Sequence, residues 1–135
     1  DFLWISKTVK KMLFGYGLFT IILVIILFSS SFIYSIWIGN KITIPSELNF
    51  AIFVYALIAA WNALFAHFLN ALSKVNIQLK IAIIHIITNI PLAIFLAKYL
   101  NFGILGLVWA TNINLLLLSI FLPIQSFKLI SKLNN

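Results

Sequence analysis

The chain has 135 residues, of which 64% are hydrophobic and 8% charged, and its mean hydropathy is +1.17. A soluble domain carries about a quarter charged residues, so an ordinary water-soluble fold is excluded and a polytopic membrane protein is expected. The net charge of +7 comes from nine lysines set against Asp1 and Glu47; the lysines stand singly or in small groups at the ends of apolar runs, which is how membrane proteins place charge and not a nucleic-acid footprint.

Residues 1–12 read as a short amphipathic helix. Phe2, Ile5, Val9 and Met12 share one face, and Lys7, Lys10 and Lys11 gather on another. Such a helix lies in the headgroup layer and leads into a first span over residues 13–37, long enough to require tilt. Within that span Ser29, Ser30 and Ser31 read as packing residues whose hydroxyls bond back to helix carbonyls. Tyr34 and Trp37 close it as an interfacial belt. A loop follows, in which Pro45 and Ser46 restart the chain. Ser46 is expected as the N-cap, with Glu47 placed where a helix dipole favours an anion.

The second span is expected over 48–72. At about 100° per residue, Ala59, Asn62, Ala63, Ala66, His67 and Asn70 fall on one side. Phe53, Leu57, Trp61, Leu64, Phe65, Phe68 and Leu69 fall on the other. The small and polar side reads as the bundle face and the bulky side as the lipid face. Lys74 lies in the turn, and Asn76 is expected to cap the next helix.

The third span, 77–98, is the unusual one. Gln78, Ala82, His85, Thr88, Asn89 and Leu92 share a side. Lys80 and Lys98 are expected on the opposite side as snorkelling anchors. Pro91 removes the donor for the Ile87 carbonyl near the centre of the span, where no water can replace it. It is expected to bend the helix. Asn101, Phe102 and Gly103 then turn the chain into a fourth span over 103–127. Gly103 and Gly106 are expected to allow close helix contact. Thr111 and Asn114 share one face, while Asn112 points elsewhere with Ser119. Pro123 is a second candidate kink, and the tail from Lys128 reads as frayed.

Together these make an all-α, four-span transmembrane bundle. Lys7, Lys10, Lys11, Lys74, Lys80, Lys128 and Lys132 fall on one side of it, and Lys41 and Lys98 on the other. That asymmetry places the first group, and both chain ends, in the cytoplasm. The chain opens at Asp1 without an initiator methionine or a signal peptide, and reads as the C-terminal piece of a longer protein.

Catalytic chemistry is not expected. The two acids lie outside the spans, the two histidines are on different helices, and cysteine is absent. There is therefore no carboxylate pair, no metal-ligand set and no phosphate loop, and no cofactor is expected. What remains is a set of uncharged polar groups inside spans: Asn62, His67, Asn70, His85, Thr88, Asn89, Thr111, Asn112 and Asn114. One reading is interhelical hydrogen bonding, worth on average ~0.6 kcal/mol per contact. The other is a polar path near the midplane beside an interrupted helix, as in transporters.

Several short motifs, in order, carry a family resemblance. They are Ile33 to Pro45, Trp61-Asn62, Asn70, Gln78-Leu79, Asn89-Ile90-Pro91-Leu92, Gly103-Ile104-Leu105-Gly106 and Pro123-Ile124-Gln125. In this the chain resembles the bacterial O-antigen and capsular polysaccharide flippases, of the exporter superfamily that includes the multidrug MATE transporters. The resemblance implies the last four spans of a MATE-like fold of about twelve, at the end of its second lobe. It implies a bacterial inner-membrane protein that moves undecaprenyl-diphosphate-linked oligosaccharide by alternating access. The partners implied are that substrate, membrane lipids and the preceding spans of the same protein. The family is expected to hold its anionic substrate in a cationic cavity. Here the lysines stand at span ends, so that charge is expected from the preceding spans or from protonated His67 and His85. A cation-coupled drug exporter of the same fold is the neighbouring alternative. A membrane-embedded glycan polymerase or ligase, or a structural membrane subunit, are alternatives of another class. The substrate-path candidates are His85, Asn89, Thr88, Asn62, His67, Asn70 and Asn114, with Pro91 as the bend.

Overall fold

The computed structural model describes residues 2–39, 43–72 and 75–133. Among them the chain is helical and free of strands. The helices are α1 (Phe2–Trp37), α2 (Ser46–Ala71), α3 (Val75–Ile94) and α4 (Gly103–Leu133), and a wider π-helical segment, Phe95–Tyr99, prolongs α3. Four helices are long and apolar enough to cross a membrane.

The first helix differs from the expected surface helix followed by a span. α1 runs unbroken through 36 residues, about 54 Å at ~1.5 Å per residue. No proline or capping residue stands near residue 12, and Leu13 and Phe14 simply continue the apolar pattern. α4 likewise continues through Pro123 and past Lys128 to Leu133, so neither the proline nor the polar tail ends it there. The residue that caps α2 is Pro45, not Ser46, which is already helical. The amides of Leu48 and Asn49 both reach the Pro45 carbonyl, at 3.1 and 3.2 Å, so the backbone does what the serine hydroxyl was expected to do. Asn76 falls inside α3, and its side chain lies outside the described residues, as do Lys41, Lys74 and the side chain of Lys132.

The helices pack as a row, α1 on α2, α2 on α4 and α4 on α3. The contacts fix their directions. Tyr34 of α1 meets Asn49 of α2, while Tyr16 meets Trp61, so these two run antiparallel. Asn112 meets Ala51 and Phe127 meets Phe65, so α4 runs parallel to α2. Thr88 meets Asn114, and Gly106 meets Ala97, so α3 and α4 form an antiparallel hairpin.

The core sits between α2 and α4. Phe65, Leu69 and Leu122 are buried, with Trp61, Leu64, Ala66, Leu118 and Leu129 packed around them. An aromatic chain ties three helices: Tyr16 to Trp61 at 5.2 Å between ring centroids, Trp61 to Phe65 at 4.8 Å, and Phe65 to Phe127 at 6.1 Å. Edge-on pairs of this kind add about 0.5–1.5 kcal/mol each beyond buried area. The expected division of α2 is therefore only partly met, since Asn62 and Ala66 of the small and polar side do pack inward. The bulky side packs inward, and Ala63, His67 and Asn70 lie exposed on the open side. The reason is volume. The face that α4 turns to α2 carries Asn112, Ser119, Leu122 and Ser126, and its small members leave room that only large side chains on α2 fill.

The turn from α3 to α4 depends on two backbone requirements. Asn101 has φ 57° and Gly103 φ 54°, the left-handed region that asparagine and glycine enter most easily. Gly106 is the contact glycine, seated against the backbone of Leu96 and Ala97. Gly103 was expected to share that role, but its surroundings are open and its conformation is what requires glycine.

Candidate functional site

α3 and α4 enclose an open groove of about 330 Å³. Lys80 lies at one end of it, His85, Thr88 and Asn114 lie along it, and Gln125 and Phe121 line the Lys80 end opposite α3. The α3 residues stand at helical spacing, Lys80, Ile84 and Thr88 each one turn from the next, with Ile81 and His85 beside them. Lys80 is thus a groove residue, which corrects its expected place on the far side of the helix. Lys98 is exposed at the other end of the hairpin.

A hydrogen-bonded cluster closes the end of the groove away from Lys80. The Thr88 hydroxyl lies 2.6 Å from Asn114 Oδ1, 2.9 Å from the Ile84 carbonyl and 3.3 Å from the His85 carbonyl. A hydroxyl has one proton to give. Its donation to Asn114 Oδ1 is the assignment that leaves no two acceptors facing each other at the shortest distance. Asn114 Nδ2 then donates to the Ala110 carbonyl at 3.0 Å and to Asn89 Oδ1 at 3.3 Å. Thr88, Asn89 and Asn114 are therefore brought together. His85 lines the same groove one turn away, half-buried, and its imidazole makes no hydrogen bond to the described residues.

The other candidates are elsewhere. Asn62 is buried between α2 and α4, where Nδ2 donates to the Leu115 carbonyl at 3.0 Å. Asn112 mirrors it from α4, donating to the Ala51 carbonyl at 3.0 Å. Each leaves its Oδ1 buried without a partner among the described residues. These two amides join helices and line no groove. His67 and Asn70 lie exposed near the end of α2 and do not meet the α3–α4 cluster. Thr111 bonds back to Leu107 within its own helix. Pro91 is exposed, and α3 continues past it for three residues before widening at Phe95. No group of three metal-ligating side chains gathers among the described residues.

Two groups escaped the sequence reading. Asn49 links α1 to α2, accepting from the Tyr34 hydroxyl at 2.9 Å and donating to Ser30 Oγ at 3.4 Å. Its signal was present: a lone amide one turn inside a span, opposite a serine-rich stretch. Gln125 is the second. Its Oε1 is buried beside the groove and has no partner among the described residues. In the sequence it stood only as a member of the Pro123-Ile124-Gln125 motif, with nothing to mark it as buried.

Compared with family models, with curated proteins and with solved structures, the chain gives no match.

Proposed function

We propose that this chain is the C-terminal part of a bacterial inner-membrane flippase that moves undecaprenyl-diphosphate-linked oligosaccharide through a MATE-like, alternating-access fold. Both ends of the chain are placed in the cytoplasm by the lysine asymmetry. The observation that carries the reading is the α3–α4 groove. It is apolar along most of its walls, has His85 and the Thr88–Asn114 pair at mid-span, and has a cation at one end. Polar groups at that depth are expensive in hydrocarbon and mark paths for polar cargo. Of the candidates that line the groove, His85 is the one whose side chain makes no hydrogen bond among the described residues, so it is assigned to the substrate hydroxyls. The open polar side of α2, with His67 and Asn70, is assigned to the preceding spans.

One observation favours a plainer role for part of the set. Thr88, Asn89 and Asn114 satisfy one another, as packing residues do. The two roles separate by mutation in the full-length protein. His85→Ala is expected to leave protein amount unchanged and to lower surface polysaccharide. Asn114→Ala is expected to lower protein amount. Normal polysaccharide export by His85→Ala at matched protein level overturns the assignment of His85 to the path.

A further inference from the structure

At the Lys80 end of the groove two polar groups have no partner among the described residues. The Lys80 ammonium has no carboxylate among the groove residues. Glu47 cannot serve it, because that residue lies at the opposite end of the bundle, beside Leu105 and Trp109 where α4 begins. Gln125 Oε1 is a buried acceptor without a donor. Lys80 stands in the second turn of α3, which starts at Val75, toward the end of the helix and so at headgroup depth in a membrane-spanning reading. Between this end and the Thr88–Asn114 pair the walls are Ile81, Ile84, Leu117, Leu118 and Phe121. Eight residues of helix separate Lys80 from Thr88, about 12 Å at ~1.5 Å per residue.

A cation at headgroup depth, a buried acceptor beside it and an apolar trough leading inward match one class of molecule. We propose that this groove seats a single anionic lipid with a hydroxylated headgroup. Its phosphate lies on Lys80, a headgroup hydroxyl donates to Gln125 Oε1, and one hydrocarbon chain lies along Ile84, Leu118 and Phe121. Each part has its own reason. Lysine attracts anionic headgroups at a membrane surface. A buried carbonyl oxygen without a donor favours a ligand that brings one. An apolar trough between helices excludes water and accepts a chain. The Thr88–Asn114–Asn89 cluster ends the trough, because its polar atoms are already paired. The inference deepens the flippase reading and rests on it for the choice between two sources of this chemistry, a bulk phospholipid and a lipid-linked saccharide.

The test is lipid binding to the full-length protein in detergent, followed by native mass spectrometry. The probes are phosphatidylglycerol, which is anionic and hydroxylated, phosphatidylmethanol, which is anionic without a headgroup hydroxyl, phosphatidylcholine, which has neither feature, and a polyprenyl-diphosphate oligosaccharide. Phosphatidylglycerol is expected to bind best of the three phospholipids, with phosphatidylmethanol between it and phosphatidylcholine. Lys80→Gln is expected to weaken both anionic phospholipids about five-fold and to leave phosphatidylcholine unchanged. Lys98→Gln, at the far end of the hairpin, is expected to change nothing. Gln125→Leu is expected to abolish the preference for phosphatidylglycerol over phosphatidylmethanol. Leu117→Trp fills the trough from an exposed position outside the core, without touching the polar end, and is expected to remove all of this binding. Equal binding of the three phospholipids, or anionic preference that survives Lys80→Gln, overturns the site. Binding of phosphatidylglycerol without the polyprenyl oligosaccharide supports the site and counts against the flippase reading. Binding of the oligosaccharide, lost with Lys80→Gln and Leu117→Trp, supports both. Failure of all four lipids sinks the site alone, since the flippase reading is judged separately by export in His85→Ala.

Discussion

A Cβ built on Gly106 would lie 2.7 Å from the backbone nitrogen of Ala97. The atoms it meets are main chain, so they cannot rotate away. Gly106→Ala is therefore expected to push α3 from α4 and to cost about 1–3 kcal/mol, the usual range for overpacking. Gly15 is the control. A Cβ there meets nothing within 4 Å, so Gly15→Ala is expected to gain about 0.5–1 kcal/mol from helix propensity. Thermal unfolding of the two purified variants in detergent checks the opposite signs. A stable Gly106→Ala protein would mean that the hairpin is held elsewhere.

Asn114 holds more of the α3–α4 contact than any other polar group. It bonds Thr88 and Asn89 across the interface and Ala110 within its helix. Asn114→Ala is expected to cost about 1–2 kcal/mol, above the ~0.6 kcal/mol average for membrane interhelical hydrogen bonds. Asn62 bonds Leu115 but leaves its own Oδ1 buried and unpaired among the described residues. Its removal also removes that unpaired group, so Asn62→Ala is expected to cost less than about 1 kcal/mol. The ranking of the two unfolding midpoints is the measurement. The reverse ranking would show that the α2–α4 amides, and not the groove cluster, hold the bundle.

The four long apolar helices were readable because apolar runs of this length have few other structures to form, whereas the separate surface helix expected over 1–12 is part of α1. The two sides of α4 were readable too: Asn114 faces α3, while Asn112 and Ser119 face α2. The packed face of α2 was not. A wheel separates small from bulky residues, but which side packs depends on the partner's volume, and that is a property of α4. Lys80 was misplaced for a related reason. A wheel drawn about the polar residues of α3 centres on Gln78, His85 and Asn89, whereas the groove follows the stripe that faces α4. The wide turn at Phe95–Tyr99 had no sequence signal of its own; it lies where the backbone of Leu96 and Ala97 meets Gly106.

The proposed orientation rests on the lysine asymmetry, and the absence of cysteine makes it simple to test. Single cysteines at Thr43 and Phe102 stand beyond one end of the bundle, and cysteines at Ala71 and Ser131 near the other; all four positions are exposed. Asn101 is avoided because its φ of 57° disfavours cysteine. An impermeant thiol reagent added to whole cells is expected to label Thr43→Cys and Phe102→Cys only. Outside labelling of Ala71→Cys would invert the orientation.

Pro91 gives the last prediction. It has no N–H, so the Ile87 carbonyl lacks its α-helical donor in a region without water. The helix nevertheless continues to Ile94, and the wide turn begins only at Phe95. That turn is closed by bonds that do not involve the proline, Leu100 N–H to the Phe95 carbonyl at 3.1 Å and Phe102 N–H to the Leu96 carbonyl at 3.2 Å. Two consequences follow for Pro91→Ala. The new amide supplies the Ile87 carbonyl, and the exposed ring gives up little packing, so stability is expected to rise, by at most the ~3 kcal/mol that separates proline from alanine inside a helix. The wide turn is expected to remain, because its bonds and the Gly106 contact are untouched. A higher unfolding midpoint, with slowed hydrogen exchange at the new amide and unchanged exchange at Leu100 and Phe102, checks both. If the proline supplies flexibility for transport, the same variant exports less while being more stable, a pairing that simple misfolding cannot produce. A lower midpoint would show instead that the proline ring packs against a helix of the full-length protein, and the role of a flexible joint would then be lost.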